Sequence, residues 1–184
     1  MTTTIESHSK LSISKEERAT RLTEAGKFWV NRISNDVSTA SLVYKVSGEA
    51  RGSVASEITA GKHTFFVDEP TALAGDDLAA SPVEFALGAF IACQIVVYRL
   101  YAHNLGIVID DISADAEGDL DVRGLFAIDP TIRPGFSAIR LNVKITGPET
   151  HERYEELRKI VDAHCPVLDL FANETPIYVT VSTK

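Results

Sequence analysis

The sequence predicts an α+β fold in which antiparallel sheets pack around one long buried helix. Three observations carry this prediction. Segments 39–51, 53–59 and 63–70 are rich in β-branched and aromatic residues and break at Gly48, Gly52 and Gly61, as antiparallel strands joined by turns do. Residues 82–104 form a run that is apolar on nearly every face, the pattern of a helix buried all round. Beyond Gly106, segments 107–121, 123–129 and 136–147 return to strand-like alternation, with apolar residues facing in and polar residues facing out.

Each element has a local reason. Ser14 can cap a helix running to Ile33, with Glu16 and Glu17 in the first turn, where the helix dipole favours acids. Leu22, Ala25, Phe28, Trp29 and Ile33 recur there at helical spacing, so Trp29 is expected to pack against the domain. A loop rich in Pro, Gly and Asp follows the third strand. Ser81-Pro82-Val83-Glu84 then reads as a capping box: a capping serine, proline at the first helical position, and a glutamate reaching back. That helix should end near Asn104, with Gly106 beyond. A polar helix over 149–164, a short helix over 166–170 and a last strand, TPIYVTVST, complete the predicted elements. A single small sheet covers only one side of the apolar helix, so a second subunit is inferred to cover the rest. The chain reads as a helical extension, residues 1–37, followed by one domain, residues 38–184.

Composition narrows the function. Of the 184 residues 45% are apolar and 24% charged, an ordinary globular mixture. The net charge of −8, without a run of Lys or Arg, makes nucleic acid and anionic membranes poor partners. The apolar run at 85–102 carries Gln94 and Arg99 and lacks a basic flank, which favours a core helix over a membrane span. The N-terminus shows no apolar stretch behind a basic start, so a cytoplasmic location is expected, and two cysteines make a structural disulfide framework a poor reading. No CxxC or HxxxH pattern offers a metal site. The G-x-S-x-G elbow, the Walker loop and the dinucleotide-binding glycines are also missing.

The two cysteines are what remains. Cys93 lies inside the apolar helix, between Ala89, Phe90, Val96 and Val97. Burial of that kind raises a thiol pKa, so reaction there requires a fixed cation. Cys165 precedes Pro166 at the start of a short helix, where unpaired N–H groups favour thiolate; a plain small residue at a turn is an equal reading.

The string FVDEPTALAGDDLAASPVEFALGAFIAC resembles the central signature of the osmotically inducible protein C / organic hydroperoxide resistance superfamily: a DEP-type turn and a glycine loop lead to a Pro-led helix carrying a cysteine. GIVIDDISADAEGDLDVRG and HCPVLDLFANETPI resemble later pieces of the pattern, so that the likeness spans residues 38–181. The resemblance implies an OsmC-like α+β fold, with two chains intertwined and their long helices at the dimer centre. It further implies that Cys93 is peroxidatic and Cys165 resolving, that an arginine from the early strands, best matched by Arg51, stabilises the thiolate, and that no metal, flavin or haem takes part. One departure stands out. Members that resist hydroperoxides carry a catalytic glutamate directly after the helix-opening proline, whereas here that position is Val83 and the candidate, Glu84, comes one residue later. One position turns a helical side chain by about 100 degrees, and the capping box already gives Glu84 a use.

The expected function is therefore a homodimeric thiol peroxidase for small organic hydroperoxides, regenerated by a dithiol reductant. Phe85, Phe90 and Val97 would form its apolar substrate pocket. The alternative is a non-catalytic, stress-associated module binding a small apolar ligand; a thiol-dependent transferase or hydrolase comes third.

Overall fold

A computed structural model describes residues 12–183; the reading that no export signal is present rests in part on residues 1–11, outside that range. The chain divides into two compact units at Lys45 and Val46.

The first unit is built on α1 (Lys15–Asn35), followed by a 3-10 turn at Val37–Ala40. Ser14 caps α1 by accepting a hydrogen bond from the Glu17 N–H at 3.1 Å. The helix buries no residue within its own unit. Trp29 stands edge-on to Phe28, ring centroids 5.6 Å apart, and Arg32 lies over the Trp29 ring at 5.7 Å. Within the helix, Trp29 thus makes aromatic and cation–π contacts.

The second unit holds the α+β body. Strands β1 (Val46–Arg51), β2 (Ala55–Ala60) and β3 (His63–Val67) form an antiparallel sheet in sequence order. Gly52 and Gly61, at φ 54° and 61°, make its two turns, a backbone that side chains with a Cβ rarely adopt. Both faces of β1 are open. The loop after β3 is held by the buried carboxylate of Asp68, which accepts from the N–H groups of Asp76 and Leu78 at 3.1 Å each. The N–H groups of Leu78, then Glu69 and Asp76, hold its pKa below the ordinary carboxylate value against the opposing effect of burial.

Helix α2 (Pro82–Leu105) starts at the expected box: the Ser81 hydroxyl accepts from Glu84 N–H, and the Glu84 carboxylate accepts from Ser81 N–H at 2.7 Å. Gly106, at φ 65°, ends it. By length and composition α2 could cross a membrane. Here one face, through Phe90, Gln94, Val97, Tyr98 and Ala102, is buried. The other, through Phe85, Ala89, Ala92 and Val96, is exposed. Within one chain the helix is thus buried on one side, not all round.

Strands β4 (Asp111–Asp119) and β5 (Ala138–Thr146) pair antiparallel from Asp111↔Thr146 to Asp119↔Ala138. Ile112, Leu141, Val143 and Ile145 belong to the core or pack against it, while Arg140 pairs with Asp119 at 2.6 Å on the open face. Helix α4 (His151–His164) seals the body with Leu157 and Val161, both fully buried. It is tied to the turn after α2 by Tyr154, whose hydroxyl donates to the Val108 carbonyl at 2.8 Å. Helix α5 (Pro166–Ala172) follows at once.

Two expected strands are absent from these positions. Segment 123–129 instead holds the short helix α3 (Val122–Leu125) and a turn. Asp121 caps α3 through the Arg123 N–H at 3.0 Å, and Ala127 takes a left-handed φ of 52°. Residues 174–183 carry no regular structure and pair with nothing in the sheets.

Candidate thiol site

The chain brings its two cysteines together. Cys93 sits midway along α2 and Cys165 caps α5, 72 positions later. Packing of α2 against α4 and α5 brings Cys165 and the Val167 backbone close enough to Cys93 to act on its thiol. Both are free thiols; Cys165 is 1% exposed and Cys93 half-buried. Burial pushes the Cys93 thiol up, the Val167 N–H pulls it down, and the neighbouring Cys165 raises it again. A thiol is neutral when protonated, so removal from water favours that form. No cation acts on Cys93 among the described residues.

The remaining expected residues lie elsewhere. Arg51 ends β1, where its guanidinium donates to Glu57 at 2.8 Å and to Glu49 at 2.7 Å. The Glu84 carboxylate is spent on the α2 cap, which holds its pKa down. Phe85 stacks on Phe65 of β3, with centroids 5.2 Å apart. Val97 is buried in the core. Phe90 meets Phe171 of α5 edge-on at 5.8 Å, one turn before Cys93. His164 points away from Cys165 chemistry: its Nδ1 lies 2.7 Å from the Ile160 carbonyl, and its ring packs on Tyr101. Among the described residues no group of three His, Cys, Asp or Glu could hold a metal ion.

Sequence reasoning missed a groove of about 1080 Å³ beside this pair. Phe90, Gln94, Tyr98, Leu141, Leu168 and Phe171 line it, with Arg133, Lys144 and Arg158 among its charged residues. Gln94 is 1% exposed, and its Nε2 has no hydrogen-bond partner. The available signal was a lone amide in an apolar helix, which the sequence reading used only against a membrane span.

Fold and site together define an α+β protein with a two-cysteine centre. The family model for OsmC-like protein matches residues 75–180, more than half of the sequence, and the chain belongs to that family. No curated protein matches it. Among solved structures, it is similar to an OsmC-like protein of Mycoplasma pneumoniae at 16% identity and TM-score 0.64, covering 72% of this chain and 89% of that one. An organic hydroperoxide resistance protein OsmC of Legionella pneumophila aligns at 21% identity and TM-score 0.56, covering 71% and 89%. A second organic hydroperoxide resistance protein, from Elizabethkingia anophelis, aligns at 20% identity and TM-score 0.54, covering 71% and 88%. These likenesses concern the fold.

Proposed function

We propose that the chain is a thiol peroxidase for organic hydroperoxides, acting as a homodimer in a reducing, cytoplasmic setting. The observation that carries this reading is that Cys93 packs against the core cluster that contains Cys165, which brings two free thiols into one neighbourhood. The Cys93 thiolate attacks the terminal oxygen of the hydroperoxide, the O–O bond breaks, and the departing alkoxide takes a proton to leave as an alcohol. Cys93 becomes a sulfenic acid. Cys165 then attacks that sulfur, expelling water and forming a disulfide, which an external dithiol reduces back to two thiols. Phe90 and Phe171 supply an apolar surface near the pair, suited to hydrophobic peroxides.

Burial alone holds Cys93 protonated, so the reading requires a cation, and Arg51 is its candidate. In that role Arg51 exchanges Glu49 and Glu57 for the thiolate, within the chain or across the dimer. The dimer interface is the exposed face of α2, where Phe85, Ala89, Ala92 and Val96 present apolar and small side chains.

The raised Cys93 thiol and the commitment of Glu84 to its cap favour a second reading, a non-catalytic binder of small apolar ligands. One experiment separates the two. Stoichiometric cumene hydroperoxide is added to the protein and to Cys165→Ser, and both masses are measured. The peroxidase reading expects loss of two hydrogens in the first, an added oxygen on Cys93 in the second, and slower oxidation in Arg51→Met. Free thiols in both proteins sink it, and an unchanged rate in Arg51→Met removes that residue alone.

A further inference from the structure

Helix α2 has two unlike faces. The stripe through Phe85, Ala89, Ala92 and Val96 is exposed. About half a turn round the helix, Phe90, Gln94 and Tyr98 belong to the lining of the groove of about 1080 Å³. Neither cysteine is in that lining. The groove is therefore a second cavity beside the thiols, on the side of α2 away from the stripe proposed as the dimer contact. Its size is at the upper end of the range for sites that hold small organic molecules.

Three features of the lining select an occupant. The first is apolar: Phe90, Leu141, Leu168 and Phe171 form a wall that favours hydrocarbon over water. The second is a donor without an acceptor. Gln94 is 1% exposed and its Nε2 has no hydrogen-bond partner, although buried polar groups are as a rule paired, and an unpaired one destabilises the site until an acceptor arrives. The third is a cation. Lys144 in the lining is paired with Asp115 at 2.8 Å, and Arg158 with Glu155 at 2.9 Å and with Asp162. Arg133 enters no ion pair among the described residues. It is exposed, and its guanidinium lies beside Gly135, where a Cβ would stand 3.6 Å from Nη2. In a chain of net charge −8, the acids of this lining are thus already paired while one planar, carboxylate-binding cation is left over.

We infer that the groove binds an N-acylated amino acid. The acyl chain lies along the apolar wall, the amide carbonyl accepts a hydrogen bond from Gln94 Nε2, and the carboxylate meets Arg133. A plain hydrocarbon would leave both Gln94 and Arg133 unpaired, and a simple long-chain acid would leave Gln94 unpaired. Binding is reversible and makes or breaks no covalent bond. It requires neither reactive nor inert thiols, so it stands apart from both readings of Cys93 and Cys165.

The test is calorimetric titration of the full-length protein with N-dodecanoylglycine, kept below its micelle concentration. Saturable binding is expected. Arg133→Met, at an exposed position, is expected to weaken N-dodecanoylglycine about tenfold or more and to leave its methyl ester, which lacks the charge, unchanged. A variant that had merely lost its fold would lose both. Gln94→Leu removes an amide that has no partner to lose. It is expected to lower the affinity of N-dodecanoylglycine relative to pentadecanoic acid, which has methylenes in place of the amide, by about tenfold. Cys93→Ser is expected to bind as the unsubstituted chain does. Absence of saturable binding, an unchanged affinity in Arg133→Met, or an unchanged ratio of the two acids in Gln94→Leu each overturn the inference. Loss of binding in Cys93→Ser overturns it too, by moving the ligand to the thiols. No readout uses peroxide, so inert thiols with a bound acyl amino acid would remove only the peroxidase reading, and reactive thiols with an empty groove only this one.

Discussion

At Tyr98 one side chain carries a measurable part of the pH response of the fold. The residue is 2% exposed, and its phenol is pushed up to about 12, first by burial and then by Asp162 and Glu155, with Arg158 acting against them. The folded phenol therefore keeps its proton at a pH where the unfolded one, with a pKa of about 10, has lost it. Below that pH the residue is neutral in both states and has no effect on the balance. As pH rises from about 10 to 12, the unfolded chain releases its proton first, and stability is lost by about 2–3 kcal/mol. Tyr98→Phe should remove this loss. Denaturant unfolding of both proteins at pH 9 and pH 12 checks it, and parallel declines in the two would show that Tyr98 is not the source. Asp68 has the opposite sign: its lowered pKa contributes stability that is present above the ordinary carboxylate range and lost as pH falls through the folded value.

Among the elements, the sequence was most legible where local chemistry and tertiary structure agree. The Ser81–Glu84 box, the Ser14 cap, the glycine turns at 52 and 61 and the alternation of β4 and β5 were all readable, because each is decided within a few residues. Segment 123–129 was misread, since Leu125, Phe126 and Ile128 resemble a strand while the deciding contact is remote. A Cβ on Gly124 would stand 2.5 Å from the carbonyl oxygen of Arg133, so the backbone at Arg133 and Pro134 approaches α3 more closely than a side chain at 124 allows. Gly124→Ala should force that backbone apart and cost about 1–3 kcal/mol, read as a lower denaturant midpoint; an unshifted midpoint would mean that the loop yields freely. The C-terminal segment, 174–183, has the composition of a strand but joins neither sheet, because strand propensity reports what a segment can pair as but not whether an edge is at hand. The site divides likewise. Both cysteines were recognisable from their surrounding motifs, but their proximity depends on how α2, α4 and α5 pack, and the groove with Gln94 arises from an edge that no local pattern describes.

On the scale of the whole molecule, apolar surface is exposed along α2 and β1, the surface that the proposed homodimer would cover. One face of α2 is open through Phe85, Ala89, Ala92 and Val96, both faces of β1 are uncovered, and Phe66 is 54% exposed. Scattered apolar residues on a surface are ordinary, but a continuous stripe along a 24-residue helix marks an interaction site. Small residues at Gly88, Ala89 and Ala92 would let another helix approach closely, and Gly88 has nothing within 4 Å of where a Cβ would stand. A chain of net charge −8 also gains nothing from packing more acid into that face. Ala89→Glu would place a carboxylate in the centre of the stripe, solvated in a monomer but buried opposite its own copy in a two-fold dimer, where like charges repel. The expected result is a monomer by sedimentation at micromolar concentration, with unchanged far-ultraviolet circular dichroism because Ala89 touches no core in the single chain. If Ala89→Glu still sediments as a dimer, the α2 face is not the contact, and the exposed stripe needs another partner. If the unsubstituted chain is itself monomeric, the second subunit inferred from the apolar helix does not exist.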